Sequence, residues 1–276
     1  MQVSVVIPTY NRLDFLKEAL ASVYLQTGLS YEVIVVDDGS QDGTWEYLQE
    51  LNYQGLKIFR QDCRGPAAAR NLGVSQSRGT WISFLDSDDL WKPNKLKVQL
   101  DFLEKNPKYQ FCQTEEIWLR CGQRIFPKKH HAKPSGEIFI PSLKLCLVSP
   151  SAVMIKKDFF ESLGGFDESF EVCEDYELWL RASLRSPFKT LMQALVIKRG
   201  GHSDQLSLKH WGMDRFRVRE MEKILQTQNL DLNQREALLK EMDLKLSILA
   251  QGFAKRYPKA NNPYQEKQAW VIQQIQ

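Results

Sequence analysis

The 276 residues, 43% of them apolar, suffice to bury a full core as one large domain or one domain with a small appendage. A formal charge of +3, from 37 basic and 34 acidic side chains, lacks the basic excess of a nonspecific phosphate-backbone binder, so nucleic acid is not an expected partner. No apolar run approaches the roughly 20 residues that span a bilayer, which limits any membrane contact to a peripheral one.

Met1 leads directly into Val3-Ser-Val-Val-Ile7-Pro8, which reads as a first strand rather than a secretory leader and sets the expected location at the cytoplasm or the inner membrane face. Strand-like runs at Val3 to Ile7, Glu32 to Val36 and Leu56 to Arg60 alternate with amphipathic stretches at Leu13 to Tyr24 and Thr44 to Leu51. This alternation predicts βαβ units on a parallel sheet. A helix over Pro66 to Val74, a strand over Trp81 to Leu85 and a helix over Pro93 to Leu103 follow, with Pro66 and Pro93 suited to first-turn positions.

Between Tyr109 and Phe139 the pattern predicts an irregular or antiparallel region with short strands at Phe111 to Thr114 and Ile117 to Leu119, then a basic loop at Lys128-Lys129-His130-His131. Ser151 to Ile155 reads as a strand, Asp158 to Leu163 as a short helix stopped by Gly164-Gly165, and Thr190 to Ile197 as a strand. Between them, Asp175 to Leu184 reads as a helix with Leu178, Trp179 and Ala182 inward. After Trp211 the character is helical, over Met213 to Leu225 and Asn233 to Tyr257, until Pro258 and Asn261-Asn262-Pro263 break it.

The five cysteines have no CxxC pair and read as reduced, mostly buried thiols; a zinc site from Cys112, Cys121, His130 and His131 would have irregular ligand spacing. In open α/β sheets, ligands bind beyond the carboxyl ends of the strands, so the polar residues there are the candidates for chemistry. Asp86-Ser-Asp88 follows an apolar run, and two carboxylates two apart can hold a hard cation or else cap the next helix. Asp37-Asp38-Gly39-Ser40 closes the second strand as a ribose or base contact or as a plain turn.

Neither GxGxxG nor GxxxxGK[ST] follows the first strand, where Thr9-Tyr10-Asn11-Arg12 stands. Glu174-Asp175 opens the helix that carries Trp179, either as a base held ionised by the helix dipole or as an acidic first turn that only caps it. Arg199-Gly200-Gly201-His202 ends the last strand, where the His and Arg either reach a metal or diphosphate or form a surface turn.

Together, Ser4-Val-Val-Ile-Pro8-Thr-Tyr-Asn11, Val35-Val-Asp37-Asp-Gly-Ser40, Ala69-Arg-Asn-Leu-Gly73, Phe84-Leu-Asp86-Ser-Asp88-Asp and Gly165-Phe-Asp167 before Glu174-Asp175 resemble the family 2 glycosyltransferases with a GT-A fold. The resemblance covers about residues 1–205. It implies an α/β architecture, a Rossmann-like mixed sheet flanked by helices, over residues 1–208, with a nucleotide-binding half over about 1–105 and an acceptor half over about 106–208. Residues 209–276 would form a helical appendage.

The resemblance further implies that Asp86 and Asp88 hold Mn²⁺ or Mg²⁺ against the donor diphosphate, Asp86 also lying near the ribose. Asp38 would contact the base, usually uracil, and Pro8, Thr9, Tyr10 and Arg70 would line the nucleotide pocket. Asp175 would be the general base with Glu174 beside it, and His202 a metal or diphosphate contact.

The expected reaction is a single inverting displacement from a nucleotide-sugar donor to a glycan, lipid-linked or protein acceptor. The QxxRW signature of processive polysaccharide synthases is missing around Trp179, which points to one sugar per encounter. The C-terminal helices are candidates for a homodimer contact or a membrane-surface contact. Two rivals are a sugar-phosphate nucleotidyltransferase, which would open with a Gly- and Arg-rich loop, and a degenerate glycosyltransferase serving as a binding module.

Overall fold

The computed structural model describes residues 1–126, 128, 131–202 and 212–275. The predicted basic loop is therefore only partly covered, and His130 lies outside the described residues.

The first third of the chain follows the predicted alternation: β1 (Val3–Thr9), α1 (Leu13–Tyr24), β2 (Tyr31–Asp37), α2 (Thr44–Glu50), β3 (Leu56–Arg60), α3 (Pro66–Ser75) and β4 (Trp81–Phe84). Strands β1, β2 and β4 are almost wholly buried, as strands covered by helices on both faces must be, and this produces their continuous Val/Ile runs. Side chains alternate between the faces. Val5 and Ile7 pack with Leu16 and Leu20 of α1, whereas Val6 joins Ala67 and Val74 of α3.

Pro66 occupies the first turn of α3, as its fixed φ and missing N–H favour. The same expectation fails at Pro93. A two-residue strand β5 (Leu90–Trp91) intervenes, and α4 starts only at Lys95 because Asn94 takes a left-handed φ of 68° that ends the turn.

The remaining sheet is mixed. Its order is β3-β2-β1-β4-β8-β6-β9-β5, where β6 is Phe111–Arg120, β8 is Val153–Lys156 and β9 is Phe188–Gly200; β7 (Gln123–Ile125) pairs with β6. Strands β1 to β4 pair in parallel, β8 runs antiparallel to β4 and β6, and β6 pairs in parallel with β9. The two short strands expected within 111–119 are one ten-residue strand, interrupted only by register shifts around Glu115. The segment before β8 is also more ordered than expected: it holds α5 (Phe139–Lys144) and a 3-10 turn over Pro150–Ala152, so the strand itself begins at Val153.

Helices α6 (Lys157–Ser162) and α7 (Glu174–Arg185) cover the second face, with Leu178, Trp179 and Ala182 of α7 fully inward. Among the described residues, three helices follow: α8 (Asp214–Thr227), α9 (Leu232–Arg256) and α10 (Pro263–Ile275). The helix breaks where expected, after Arg256; α10 starts at Pro263, and Asn262 donates to the Ala250 carbonyl. One apolar cluster joins these helices to the rest, with Phe139, Leu143, Tyr176 and Leu180 meeting Met221, Leu239, Met242 and Leu246. No helix among the described residues is long and apolar enough to cross a membrane.

Candidate active site

The chain leaves β1 toward β2 on one side and returns to β4 on the other, so the carboxyl ends of β1, β2 and β4 open a crevice at the switch point. Asn11, with φ 50°, staples two of these loops: its N–H donates to Ser40 Oγ (2.8 Å) and its Oδ1 accepts from the Gln41 N–H (2.7 Å). Asp38 ties in a third loop, accepting from Gln61 Nε2 (2.7 Å) and from the N–H groups of Arg64 (2.7 Å) and Gly65 (2.8 Å). A carboxylate offers about four lone-pair directions, so one remains for a ligand.

Pro8 and Thr9 are buried at the floor, while Tyr10 is 44% exposed at the rim, its hydroxyl raised first by a hydrogen bond with Cys63. The buried Thr9 Oγ1 finds no partner among the described residues.

Beyond β4, Asp86, Asp88 and Asp89 each bring one carboxylate oxygen within 4.8 Å of the others, the one such group able to hold a metal among the described residues. Asp89 joins the two aspartates singled out in the sequence. Burial opposes the charge of Asp86, but Arg70, then Lys198 and Arg12, hold its carboxyl below the ordinary value. Burial and the charge of Asp88 push Asp89 well above.

Asp88 Oδ2 accepts from Arg12 (2.7 Å) and lies 3.0 Å from His202 Nε2, while the Arg199 guanidinium reaches the Asp88 carbonyl and the Arg199 N–H donates to Asp89. His202 thus meets a candidate ligand instead of joining the trio. Three oxygens of hard carboxylates at one strand end fit a divalent cation, whose charge would relieve the mutual repulsion that now raises Asp89.

Arg70 links this cluster to the second acidic motif. Its guanidinium donates to Asp86 Oδ1 and to Glu174 Oε1, both at 2.6 Å, and is 6% exposed. Asn71 beside it clasps the loop before α7, donating to the Phe166 carbonyl (2.9 Å) and accepting from its N–H (3.0 Å). Gly165 passes so close that a Cβ there would lie 2.8 Å from Asn71 Oδ1. The paired motifs Arg70-Asn71 and Gly165-Phe166 are therefore one contact. Glu174, expected beside the base, is buried and accepts from Arg70.

Asp175, half-buried, lines a cavity of 170 Å³ with Glu116, Trp118, Lys133, Ser149 and Lys198 among others. Burial alone would lower the Lys198 ammonium, but Glu116, Asp89, Asp86 and Asp175 together raise it, so one cation faces both the acidic cluster and Asp175. Lys198, Glu116 and Lys133 carried no sequence motif; the only hint was the adjacency of Lys198 to Arg199. All five cysteines are free, with Cys63 and Cys121 exposed and only Cys112 fully buried, so the expectation of mostly buried thiols does not hold. Cys112 accepts from Gln99 in the core, remote in character from a zinc ligand.

Residues 4–164, more than half of the chain, match the model of glycosyl transferase family 2. The chain is 34% identical over 180 residues to an uncharacterized glycosyltransferase of Rickettsia conorii, covering 65% of this chain and only 30% of that protein's length. It is 30% identical over 185 residues to the Escherichia coli protein named UDP-Glc:alpha-D-GlcNAc-diphosphoundecaprenol beta-1,3-glucosyltransferase WfgD, covering 64% of this chain and 68% of the relative. Among solved structures, S. aureus TarS 1-349 in complex with UDP-GlcNAc superposes on 100% of this chain and 80% of its own, with a TM-score of 0.77 and 21% identity, a likeness of fold.

Proposed function

Because the chain belongs to glycosyl transferase family 2 and has the GT-A fold, we propose that it moves a single sugar from a UDP-linked donor to an acceptor hydroxyl of a cell-surface glycan precursor, inverting the anomeric configuration. The observation that carries this reading is that the carboxylates of Asp86, Asp89 and Asp175 all act on Lys198, so a metal-type cluster and a candidate base share one site. The names of the E. coli relative and of the TarS complex support a UDP-sugar donor, and the former supports a lipid-linked acceptor.

In this reading Pro8, Thr9, Tyr10 and Asp38 frame the nucleotide, with Asp38 acting mainly by fixing the loop around Gly65. Asp86, Asp88 and Asp89 would hold a Mn²⁺ or Mg²⁺ ion, which would supply electrostatic stabilisation of the departing diphosphate. Arg12 and His202 orient Asp88, and Arg70 orients Asp86. Asp175, at the N-terminus of α7 where the helix dipole favours its charge, takes the acceptor's proton as the acceptor oxygen attacks the anomeric carbon. The nucleoside diphosphate leaves from the opposite face. One displacement needs no nucleophilic carboxylate, in contrast to a retaining double displacement. Residues 1–208 form the proposed catalytic unit and 209–276 its helical appendage.

Calorimetric titration with UDP, GDP and their sugar conjugates, each with and without Mn²⁺, tests the donor site. UDP binding that depends on Mn²⁺ is the expected result. Asp88→Ala should abolish that dependence, whereas Asp175→Asn should bind UDP normally and lose transfer by about 10²-fold or more. Equal loss of binding in both variants would defeat the separate roles. Nucleotide binding without transfer to any acceptor would favour the degenerate binding module.

A further inference from the structure

The cavity beside Asp175 has a built-in appetite for hydrogen bonds. Glu116 reaches it from β6, where two successive register shifts against β9, between Thr114 and Glu115 and between Glu115 and Glu116, break the alternation of side chains. Such bulges re-aim side chains next to binding sites. The Glu116 side chain is 1% exposed, and its Oε2 accepts from Trp118 Nε1 (2.9 Å) and pairs with Lys133 Nζ (2.8 Å). Its Oε1 is buried and finds no hydrogen-bond partner among the described residues. A desolvated carboxylate oxygen is costly to leave unmatched unless a ligand donor completes it.

The other groups suit a polyhydroxylated ligand. Lys133 touches Glu116 as an ion pair, and Lys198 spends one of its three donors on Ser149 Oγ at 3.3 Å, so both keep donors for ligand oxygens. Trp118, held by Glu116 and by an edge contact with His131 at 5.0 Å between ring centres, adds an apolar surface for ring C–H groups. Burial opposes the charge of Glu116, but Lys133 and Lys198 draw its carboxyl down to about 2, so it is ionised at any ordinary assay pH. Among the described residues that line the cavity, the two lysine charges are matched by those of Glu116 and Asp175.

We infer that this cavity recognises the acceptor as an uncharged sugar unit, with Glu116 Oε1 accepting a hydrogen bond from one of its hydroxyls while another hydroxyl faces Asp175. The inference rests on the glycosyltransferase reading above and narrows its acceptor to a neutral saccharide rather than a polyol phosphate.

The test is saturation-transfer NMR on the full chain with UDP and Mg²⁺, adding in turn methyl α-glucoside, methyl N-acetyl-α-glucosaminide and glycerol 3-phosphate. Signals from at least one glycoside, and none from glycerol 3-phosphate, are expected. Glu116→Gln should weaken glycoside binding by roughly tenfold, the scale of a lost hydrogen bond to a charged group, with UDP signals intact. Because that change strands Lys133, the double variant Glu116→Gln with Lys133→Gln, which leaves no unmatched charge in the pair, should give the same result. Glycerol 3-phosphate signals without glycoside signals, or undiminished glycoside signals in both variants, would overturn the inference. UDP signals without any glycoside signal would defeat it alone, and missing UDP signals in the unaltered chain would take the donor reading down with it.

Discussion

Arg70 connects two acidic motifs that the sequence places far apart. Its guanidinium holds Asp86 after β4 and Glu174 at the start of α7, the latter 104 residues away. Burial acts to raise the Glu174 carboxyl and Arg70 counters it, so removing the arginine strands a buried carboxylate. Arg70→Met should lower unfolding free energy by roughly 3–5 kcal/mol in urea titration, the usual cost of breaking a buried pair from one side. A change under about 1 kcal/mol would show that solvent reaches Glu174 freely. The acidic residues of this site, Asp38, Asp86, Asp88 and Asp175, were legible because each follows a strand or opens a helix within a short local pattern. Glu116 and Lys133 were not, because only a bulge and a return of the chain bring them together.

At the level of elements, close approach and burial decide the details. Helix α3 lies so near β1 that a Cβ on Gly73 would sit 2.3 Å from Val6 Cγ1. Gly73→Ala should therefore destabilise by about 1–3 kcal/mol through overpacking, against the gain of roughly 1 kcal/mol that Ala brings to a helix interior. A stabilised variant would mean that β1 yields. Helix α8 docks with Glu220 fully buried and both its carboxyl oxygens without a hydrogen-bond partner among the described residues. Burial first, then Asp175 and Glu177, push this carboxyl up to about 10, above the ordinary 4.5.

The folded chain thus keeps a proton that the unfolded chain releases. Stability from this group is complete below about 4.5 and declines as pH rises toward 10. Glu220→Gln should raise the thermal midpoint at pH 8 by at least about 2 °C, with the advantage fading toward pH 4.5. An advantage that is the same at both pH values would assign it to packing. Asp167 has the opposite sign: burial opposes its charge, but Lys223 of α8 and Ser169 hold it at about 2, so its contribution is present above the ordinary 3.8 and is lost as pH falls toward 2.

For the molecule as a whole, the C-terminal helices complete a core that the rest of the chain leaves open. Tyr176 and Leu180 of α7 and Phe139 and Leu143 of α5 find their apolar partners on α8, α9 and α10. Removing residues 209–276 should therefore abolish cooperative unfolding or solubility. A soluble truncated chain with a single sharp transition would establish the first 208 residues as an independent unit.

Residue order alone specifies the parallel β1 to β4 half, the inward face of α7 and the acidic strand ends, because buried strands, amphipathic helices and turns each leave a local imprint on it. It left unread the mixed half of the sheet, where β6 pairs with parallel and antiparallel neighbours at once and shifts register midway. Only the tertiary structure decided which charges meet: Arg12 with Asp88 across 76 residues, Arg70 with Glu174 across 104, and Lys198 with four carboxylates from separate segments. Charge pairing acts through space and has no period along the chain, so no local pattern encodes it.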